Sequence, residues 1–343
     1  MKAPLVVVPP SLASKRSHIM VDGSPNKLSR LTLSHWPNSP TPHRFRRDLS
    51  CEIVFAYLEE VFNGSVFSKA KHIYNKVNFV TLDHLDEDGI LSAFAMANPE
   101  IAMAEKKLFI DAARLGDFNI FSSEISAVVT FGLRYLLDPV RTWFHSVTDV
   151  EEFLRKDFML LSDLLKDCIA TPKTFAALAD EEMMTLEKSK NSFFIDKAKI
   201  SEVRELSLAI VDLECPIHTL GTKIKPGVDI GIHPAAIHTL TDMPRILIKY
   251  PRQILYYDRY ETWVRFISKR LPGRPNLLAI AAKLNSYEDA ENYWHANPPN
   301  DPIACLYVNE SYDGKFSSDQ LVEIILTHLR LSTGDKTVKA ENK

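Results

Sequence analysis

The stretch from Val77 to Ala97 limits the possible folds more than any other part of this chain. Val77–Leu82 is a short apolar run with the length and branching of a buried strand. Gly89–Ala97 has the apolar spacing of a helix. A strand that passes directly into a helix is half of a strand–helix–strand unit, the building block of parallel sheets. The link, Asp83-His84-Leu85-Asp86-Glu87-Asp88, puts four acids in six positions. Like charges at that density cost free energy unless a cation neutralises them or they spread into water.

The same alternation extends along the chain. Asp48 or Ser50 can cap a helix carrying Ile53, Val54, Tyr57, Leu58 and Val61 on one face. Lys106–Ile110 reads as a second strand followed by helical residues, and Ser122 or Ser123 can cap a helix through Leu137. Amphipathic stretches at 149–169 and 172–190, with Leu154, Phe158, Leu161, Leu164 and Leu165, read as core or partner faces. After that the texture becomes β-like: Ser192–Ile195, Leu206–Val211, Arg245–Tyr250, Ile254–Tyr257 and Thr262–Ile267, with helices expected at 276–285 and 318–330. The expectation is an α/β protein: a parallel-sheet domain with a helical extension at 50–190, then a smaller α+β domain at 191–331. Residues 1–49 hold Pro4, Pro9, Pro10, Pro25, Pro37, Pro40 and Pro42 and read as an irregular lead-in. Residues 332–343 are polar and read as a disordered tail.

Composition narrows the function by exclusion. Glycine is scarce, 11 of 343 residues, and no Gly-rich phosphate loop is present. No apolar run is long enough to span a bilayer, and no signal-peptide core follows Met1. Cys51, Cys168, Cys215 and Cys305 are isolated, so they read as buried free thiols, with the cytoplasm as the expected address. Residues 1–50 carry eight Lys/Arg against two Asp/Glu, and the remainder 33 against 42. An acidic bulk suits a small anionic substrate better than long nucleic acid, which needs a basic groove. No membrane partner is expected, and a homodimer is left open.

The acidic link carries the chemistry. In an extended segment His84, Asp86 and Asp88 point the same way, off the carboxyl end of a strand, where parallel sheets hold their ligands. One imidazole and two carboxylates suit Mn, Mg or Zn. Gly89 permits a tight turn, and Ser92 lies close to the new helix N-terminus, a natural anion site. An EF-hand reading fails, because aligning Gly89 with the sixth loop position puts Ala95 where the twelfth needs Glu. Asp86-Glu87-Asp88-Gly89-Ile90-Leu91 is similar to the haloacid-dehalogenase phosphatase box, with Asp86 as covalent nucleophile and Asp88 as acid/base. However, Asp83 and His84 interrupt the hydrophobic run that should precede it.

His84, Asp86, Asp88, Gly89 and Ser92 match every position of [HD]-x-D-x-D-[GA]-x-x-S after a hydrophobic strand. The string resembles motif I of the DHH phosphoesterase superfamily. That resemblance implies that His84, Asp86 and Asp88 ligate one or two Mn or Mg ions. It also implies a further ligand at the end of the second strand, which Leu108-Phe109-Ile110-Asp111 supplies, with Asp117 close by. The Asp-His-His triplet of that family is absent, with His145 and Asp149 as candidate substitutes and Asp212 either a counterpart of a later metal Asp or an ordinary strand-end cap. The glycine-rich substrate loop is also absent, and Gly231-Ile232-His233-Pro234 is its faint counterpart. The chain is also similar to an uncharacterised bacterial family with strings like Asp111-Ala112-Ala113-Arg114 and His233-Pro234-Ala235-Ala236-Ile237-His238.

The implied activity is metal-dependent hydrolysis of a small phosphoester or short nucleotide by a metal-activated water. Asp86, Asp88 and His84 would be catalytic, and His84, Asp86, Asp88 and Asp111 would hold the metal. Arg259, Arg265, His233, Ser92 and Arg114 would bind the anionic substrate, since guanidinium grips phosphate bidentately. The alternatives are a DHH-like protein repurposed for binding without turnover, and the dehalogenase-type phosphatase.

Overall fold

A computed structural model describes residues 4–65, 67–217, 220–288, 294–308 and 314–333. It divides into two compact units. The first comprises Met1–Met183 with Val264–Arg270, and the second Met184–Trp263 with Leu271–Lys343. The tail expected from residue 334 on lies outside the described residues.

The first unit is built on a parallel sheet of β1 (Val6–Val7), β2 (His18–Val21), β3 (Ser29–Leu33) and β4 (Phe79–Thr81) in the order β1-β4-β2-β3. Every pairing in it is parallel, so all four strands end on one edge. The helices are α1 (Pro10–Ala13), α2 (Ser50–Asn63), α3 (Lys69–Lys76), α4 (Glu87–Ala97), α5 (Pro99–Ala104), α6 (Lys106–Phe118), α7 (Glu124–Leu137), α8 (Val150–Lys156), α9 (Phe158–Ala170) and α10 (Lys173–Phe194). α10 runs past the division between the units. In α4 every residue from Glu87 to Met96 is buried. A helix apolar nearly all round belongs inside a core. On α2, Ile53, Val54, Tyr57, Leu58 and Val61 form the buried face that their spacing implies.

The second unit is a six-stranded mixed sheet. It is formed by β5 (Ala198–Val203), β6 (Leu208–Leu213), β9 (Arg245–Lys249), β10 (Ile254–Asp258), β11 (Trp294–Ala296) and β12 (Cys305–Val308), in the order β11-β12-β10-β9-β6-β5. A hairpin of β7 (Lys223–Lys225) and β8 (Val228–Asp229) and a short helix α11 (Pro234–His238) join them. Alternate residues serve two cores, as a period of two requires. Leu247, Ile254 and Tyr256 pack with α12 (Leu277–Asn285) and α13 (Ser318–Thr333), whereas Ile246, Ile248, Leu255 and Tyr257 pack with Ile230, Ile232 and Ile237.

Several expectations are corrected. Residues 1–49 are not irregular: they supply β1, β2 and β3, short apolar runs that fit between the prolines. Lys106–Ile110 is the first part of α6 and not a strand. Phe109, Ala112 and Ala113 recur at helical spacing and are buried with Asp111, Leu115 and Phe118, and a short apolar run alone does not separate the two readings. Ser192–Phe194 ends α10, and Thr262 closes a 3-10 turn, so neither segment is a strand. Cys51, Cys168 and Cys305 are buried free thiols as expected, but Cys215 is exposed. Among the described residues no helix is long and apolar enough to cross a membrane.

Candidate metal centre

The carboxyl edge of the parallel sheet collects acids and imidazoles from three strand ends. Asp22 directly follows β2, His35 lies two residues past β3, and His84 and Asp86 follow β4. Asp88 stands in the first turn of α4 and Asp117 in the last turn of α6. Two constraints shape the entry. Asp22 takes a left-handed backbone (φ 40°), which Asp tolerates better than most residues. A Cβ on Gly23 would lie 2.6 Å from Asp83 Oδ1, so any larger residue there would have to push the Asp83 carboxylate aside.

Two ligand groups share Asp22: Asp22 with His84 and Asp86, and Asp22 with His35 and Asp88, the donor atoms of each lying within 4.8 Å of one another. The two oxygens of Asp22 divide between them. Oδ2 lies 3.2 Å from His84 Nε2, and Oδ1 lies 3.5 Å from His35 Nε2. His84 Nε2 is 2.8 Å from Asp86 Oδ2. His35 Nε2 is 4.0 Å from Asp88 Oδ2 and 3.5 Å from Asp117 Oδ2. Asp22 is thus the residue common to both groups.

The surrounding backbone holds the donors in place. Asp86 caps α4, its Oδ1 accepting the Gly89 amide at 2.8 Å. Asp88 accepts the Ser50 and Cys51 amides, each at 2.8 Å, and so caps α2 from a neighbouring helix. The Ser50 hydroxyl donates to Asp22 Oδ1 at 2.5 Å. His35 Nδ1 lies 2.6 Å from the Asp48 carbonyl. A carbonyl only accepts, so Nδ1 carries the proton and Nε2 is the atom turned toward three carboxylates. The Trp36 indole packs on the His84 ring with centroids 5.0 Å apart.

Three observations fit a divalent ion here. The donors are carboxylate and imidazole, the set used for Mn, Mg and Zn. Asp117 Oδ2 is buried without a hydrogen-bond partner among the described residues, an arrangement that buried acids otherwise avoid. A Cβ on Gly89 would stand 3.1 Å from Asp86 Oδ1 and 3.2 Å from Asp22 Oδ2, so a larger residue would crowd both oxygens by a few tenths of an ångström.

The electrostatics agree. Burial lifts the Asp88 carboxyl well above the usual range, and Asp22 and Asp86 lift it further against the opposing Cys51 and Ser50 amides. Asp117 rises for the same reasons: burial first, then Asp88, Asp86 and Asp22. For His84, burial pulls the imidazole down. Asp86 outweighs it, with hydrogen bonds to Asp22, Asp83 and Asp86, and the result stands well above the ordinary value. Asp86 moves the other way: burial opposes ionisation, but the charge and hydrogen bond of His84 and the Gly89 amide hold it below its usual range. Protons therefore collect on this cluster, and a divalent ion held there would displace them.

His84, Asp86 and Asp88 are thus brought together, though not as one extended row. Asp88 is already helical, and the turn at Asp86 sends it into the other ligand group. Asp111 lies within α6, ion-paired with Lys107, and neither it nor Asp117 belongs to the two ligand groups, though Asp117 near the end of that helix comes within 3.5 Å of His35 Nε2. Ser92 is buried one turn beyond Asp88, its hydroxyl without a hydrogen-bond partner among the described residues. Arg114 pairs with Glu52 at 2.6 Å. Arg265 belongs to the first unit, its guanidinium donating to the Ser39 carbonyl and its amide to the His35 carbonyl, both at 2.7 Å.

Arg259 and His233 belong to the second unit. Arg259 is buried, donating to the Thr241 carbonyl at 3.0 Å and pairing with Glu261 across the 3-10 turn. His233 is buried and caps α11, accepting the Ala235 amide at 3.1 Å. Asp149 caps α8, and Asp212 pairs with Lys249 at 3.1 Å. Sequence reasoning missed Asp22 and His35, both inside the supposed lead-in. For Asp22 a signal was present: Ile19-Met20-Val21 is a short apolar run that ends directly in Asp22-Gly23.

Comparison with known proteins gives three findings. A family described as Family of unknown function (DUF6687) matches residues 4–330. A search of curated proteins finds no match. Among solved structures, a pGpG-specific phosphodiesterase, PggH, from Vibrio cholerae is similar at 12% identity and a TM-score of 0.35, over 83% of this chain and 97% of that one.

Proposed function

The chain belongs to the DUF6687 family over nearly its whole length, and from that premise, which names no activity, we propose that it is a divalent-metal-dependent hydrolase of a small phosphoester, related to the DHH phosphoesterases. One observation carries the reading: Asp22 turns one oxygen to His84 and Asp86 and the other to His35 and Asp88. His84, Asp86 and Asp22 would hold one Mn or Mg ion, and His35, Asp88, Asp117 and the same Asp22 a second. Such ions, when bound, acidify water and neutralise charge developing on a phosphoryl group.

The chain's own residues supply the rest. Asp48 fixes the tautomer of His35, so that a lone pair faces the centre. Ser50 steadies Asp22, and the Gly89 amide steadies Asp86. Arg265, anchored beside His35, is the cation proposed to meet the phosphate. The acidic bulk of the chain disfavours long nucleic acid, which leaves small phosphoesters and short nucleotides as the proposed substrate class.

A second reading has its own observation. Both Asp88 oxygens are engaged by α2 amides at 2.8 Å, which suits a protein that binds the metal without turnover. The test is hydrolysis of an aryl phosphodiester and of short di- and trinucleotides by purified protein with EDTA, Mn2+ or Mg2+, beside the Asp22→Asn variant. Metal-dependent cleavage that Asp22→Asn abolishes supports the hydrolase. Metal binding with no cleavage of any ester leaves the binding protein. A chain that takes up neither metal overturns both.

A further inference from the structure

Val264–Arg270 is the one stretch of the first unit that the chain reaches from the second: Trp263 before it and Leu271 after it both belong there. Its anchors converge on the metal centre. The Arg265 amide donates to the His35 carbonyl at 2.7 Å. The Ile267 and Ser268 amides donate to Asp48 Oδ1 at 2.7 and 3.0 Å. Asp48 in turn accepts from His35 Nδ1 through its main-chain carbonyl. The Phe266 ring meets Phe118 at 5.6 Å edge-on, and Phe118 directly follows Asp117 in sequence. The strap thus grips both sides of the half-centre made by His35 and Asp117. It holds His35 directly through a main-chain hydrogen bond, and again through Asp48.

We propose that Asp48 is a positioning residue that couples docking of the 264–270 strap to divalent-metal binding at His35. The proposal rests on the metal-centre reading above. Asp48 does not ligate the metal. Its carboxylate holds two strap amides while its carbonyl sets the His35 ring, so seating the strap and orienting Nε2 are one event. Coupling of this kind is reciprocal: a metal bound at His35 tightens the strap by the same factor that the seated strap tightens the metal. Residues 267–270 are exposed, and Lys269 and Arg270 give trypsin two bonds at which to read docking.

The test uses the full chain. Trypsin cleavage after Lys269 and Arg270 is followed by mass spectrometry with EDTA or Mn2+, normalised to cleavage after the exposed Lys199. Mn2+ affinity is measured by calorimetry, and the ligand field by the visible spectrum with Co2+. Mn2+ is expected to slow strap cleavage, and Asp48→Ala to weaken Mn2+ binding about 5- to 20-fold, within the usual span of coupling between sites. Asp48→Asn, whose side-chain oxygen still accepts the two amides, is expected to restore most of both effects and the Co2+ spectrum. A purely stabilising Asp48 would lower the melting temperature without these changes.

Ile267→Pro removes one strap donor while leaving Asp48 and His35 intact, and should weaken Mn2+ binding in the same direction even where Asp48→Ala folds poorly. Mn2+ binding that is equal in the wild type and in Ile267→Pro, or strap cleavage indifferent to Mn2+, overturns the coupling and leaves the metal centre standing. Failure of the wild type to bind Mn2+ removes the metal centre and the coupling with it.

Discussion

At the scale of single residues, Asp22 matters most, because it belongs to both ligand groups. Asp22→Asn keeps the shape and removes the charge. Mn2+ affinity is expected to fall by more than the about 10- to 100-fold typical of an outer-shell change, as calorimetry would show. Asp88→Asn is expected to weaken only the group it shares with His35, so a two-site isotherm should lose one step. The pH dependence follows from the shifted groups. Asp88 and Asp117 stand above their unfolded values, so above about pH 4 the cation-free fold binds more protons than the unfolded chain and loses stability as pH rises. His84 has the same sign: its contribution is whole below about pH 6.5 and is lost as pH climbs toward its raised value. Asp86 acts oppositely, and its contribution is lost only when pH falls toward its depressed value, below about pH 4. The rise in melting temperature caused by Mn2+ is therefore expected to be larger at about pH 8 than at about pH 5. Calorimetry in buffers of different ionisation enthalpy should register proton release. Equal shifts at both pH values would contradict the arrangement.

At the scale of elements, the centre depends on how α4 enters the core. Its N-terminus is fixed by the Asp86 cap and by Glu87, which Arg134 on α7 holds at 2.7 Å while also pairing with Glu182 on α10. That tie occupies Glu87, the acid between two ligands, with a cation of its own. The packing of α7 on α10 leaves no slack: a Cβ on Gly132 would lie 2.4 Å from the Phe175 ring and 2.9 Å from its Cβ. Gly132→Ala improves helix propensity by up to about 1 kcal/mol, but the overlap reaches the stem of Phe175 and not only its tip. Overpacking of this kind costs about 1–3 kcal/mol, so chemical denaturation should find the variant less stable. A neutral or stabilised Gly132→Ala would mean that α10 yields more easily than its contacts imply.

At the scale of the whole molecule, two units are joined in sequence by more than one crossing, since the strap returns the chain to the first unit. A ligand that binds only the folded state stabilises it by mass action, about 2.7 kcal/mol at one hundred times its dissociation constant. The melting temperature of protein loaded with Mn2+ is accordingly expected to fall on adding EDTA and to recover with excess Mn2+, as differential scanning calorimetry would reveal. A transition unmoved by either would argue against a centre that is coupled to the fold.

The amino-acid pattern determined the local pieces. Period and capping placed β4, α2, α4, α7, α12 and α13, and the acid-rich turn marked His84, Asp86 and Asp88, because each depends on neighbours within a few residues. Asp22, His35 and Asp117 could not be assigned in that way. They lie 62, 51 and 31 residues from His84, Asp86 and Asp86 respectively; the parallel pairing of β2, β3 and β4 brings the strand ends that carry Asp22 and His35 to one edge, and Asp117 arrives there from the last turn of α6. Asp111 shows the converse. Its neighbourhood changed once Lys106–Phe118 became a helix, because a helix advances less than half as far per residue as a strand and brings Asp117, six residues further on, within 3.5 Å of His35. Charge density is written along the chain, but which charges share a cation depends on strand order.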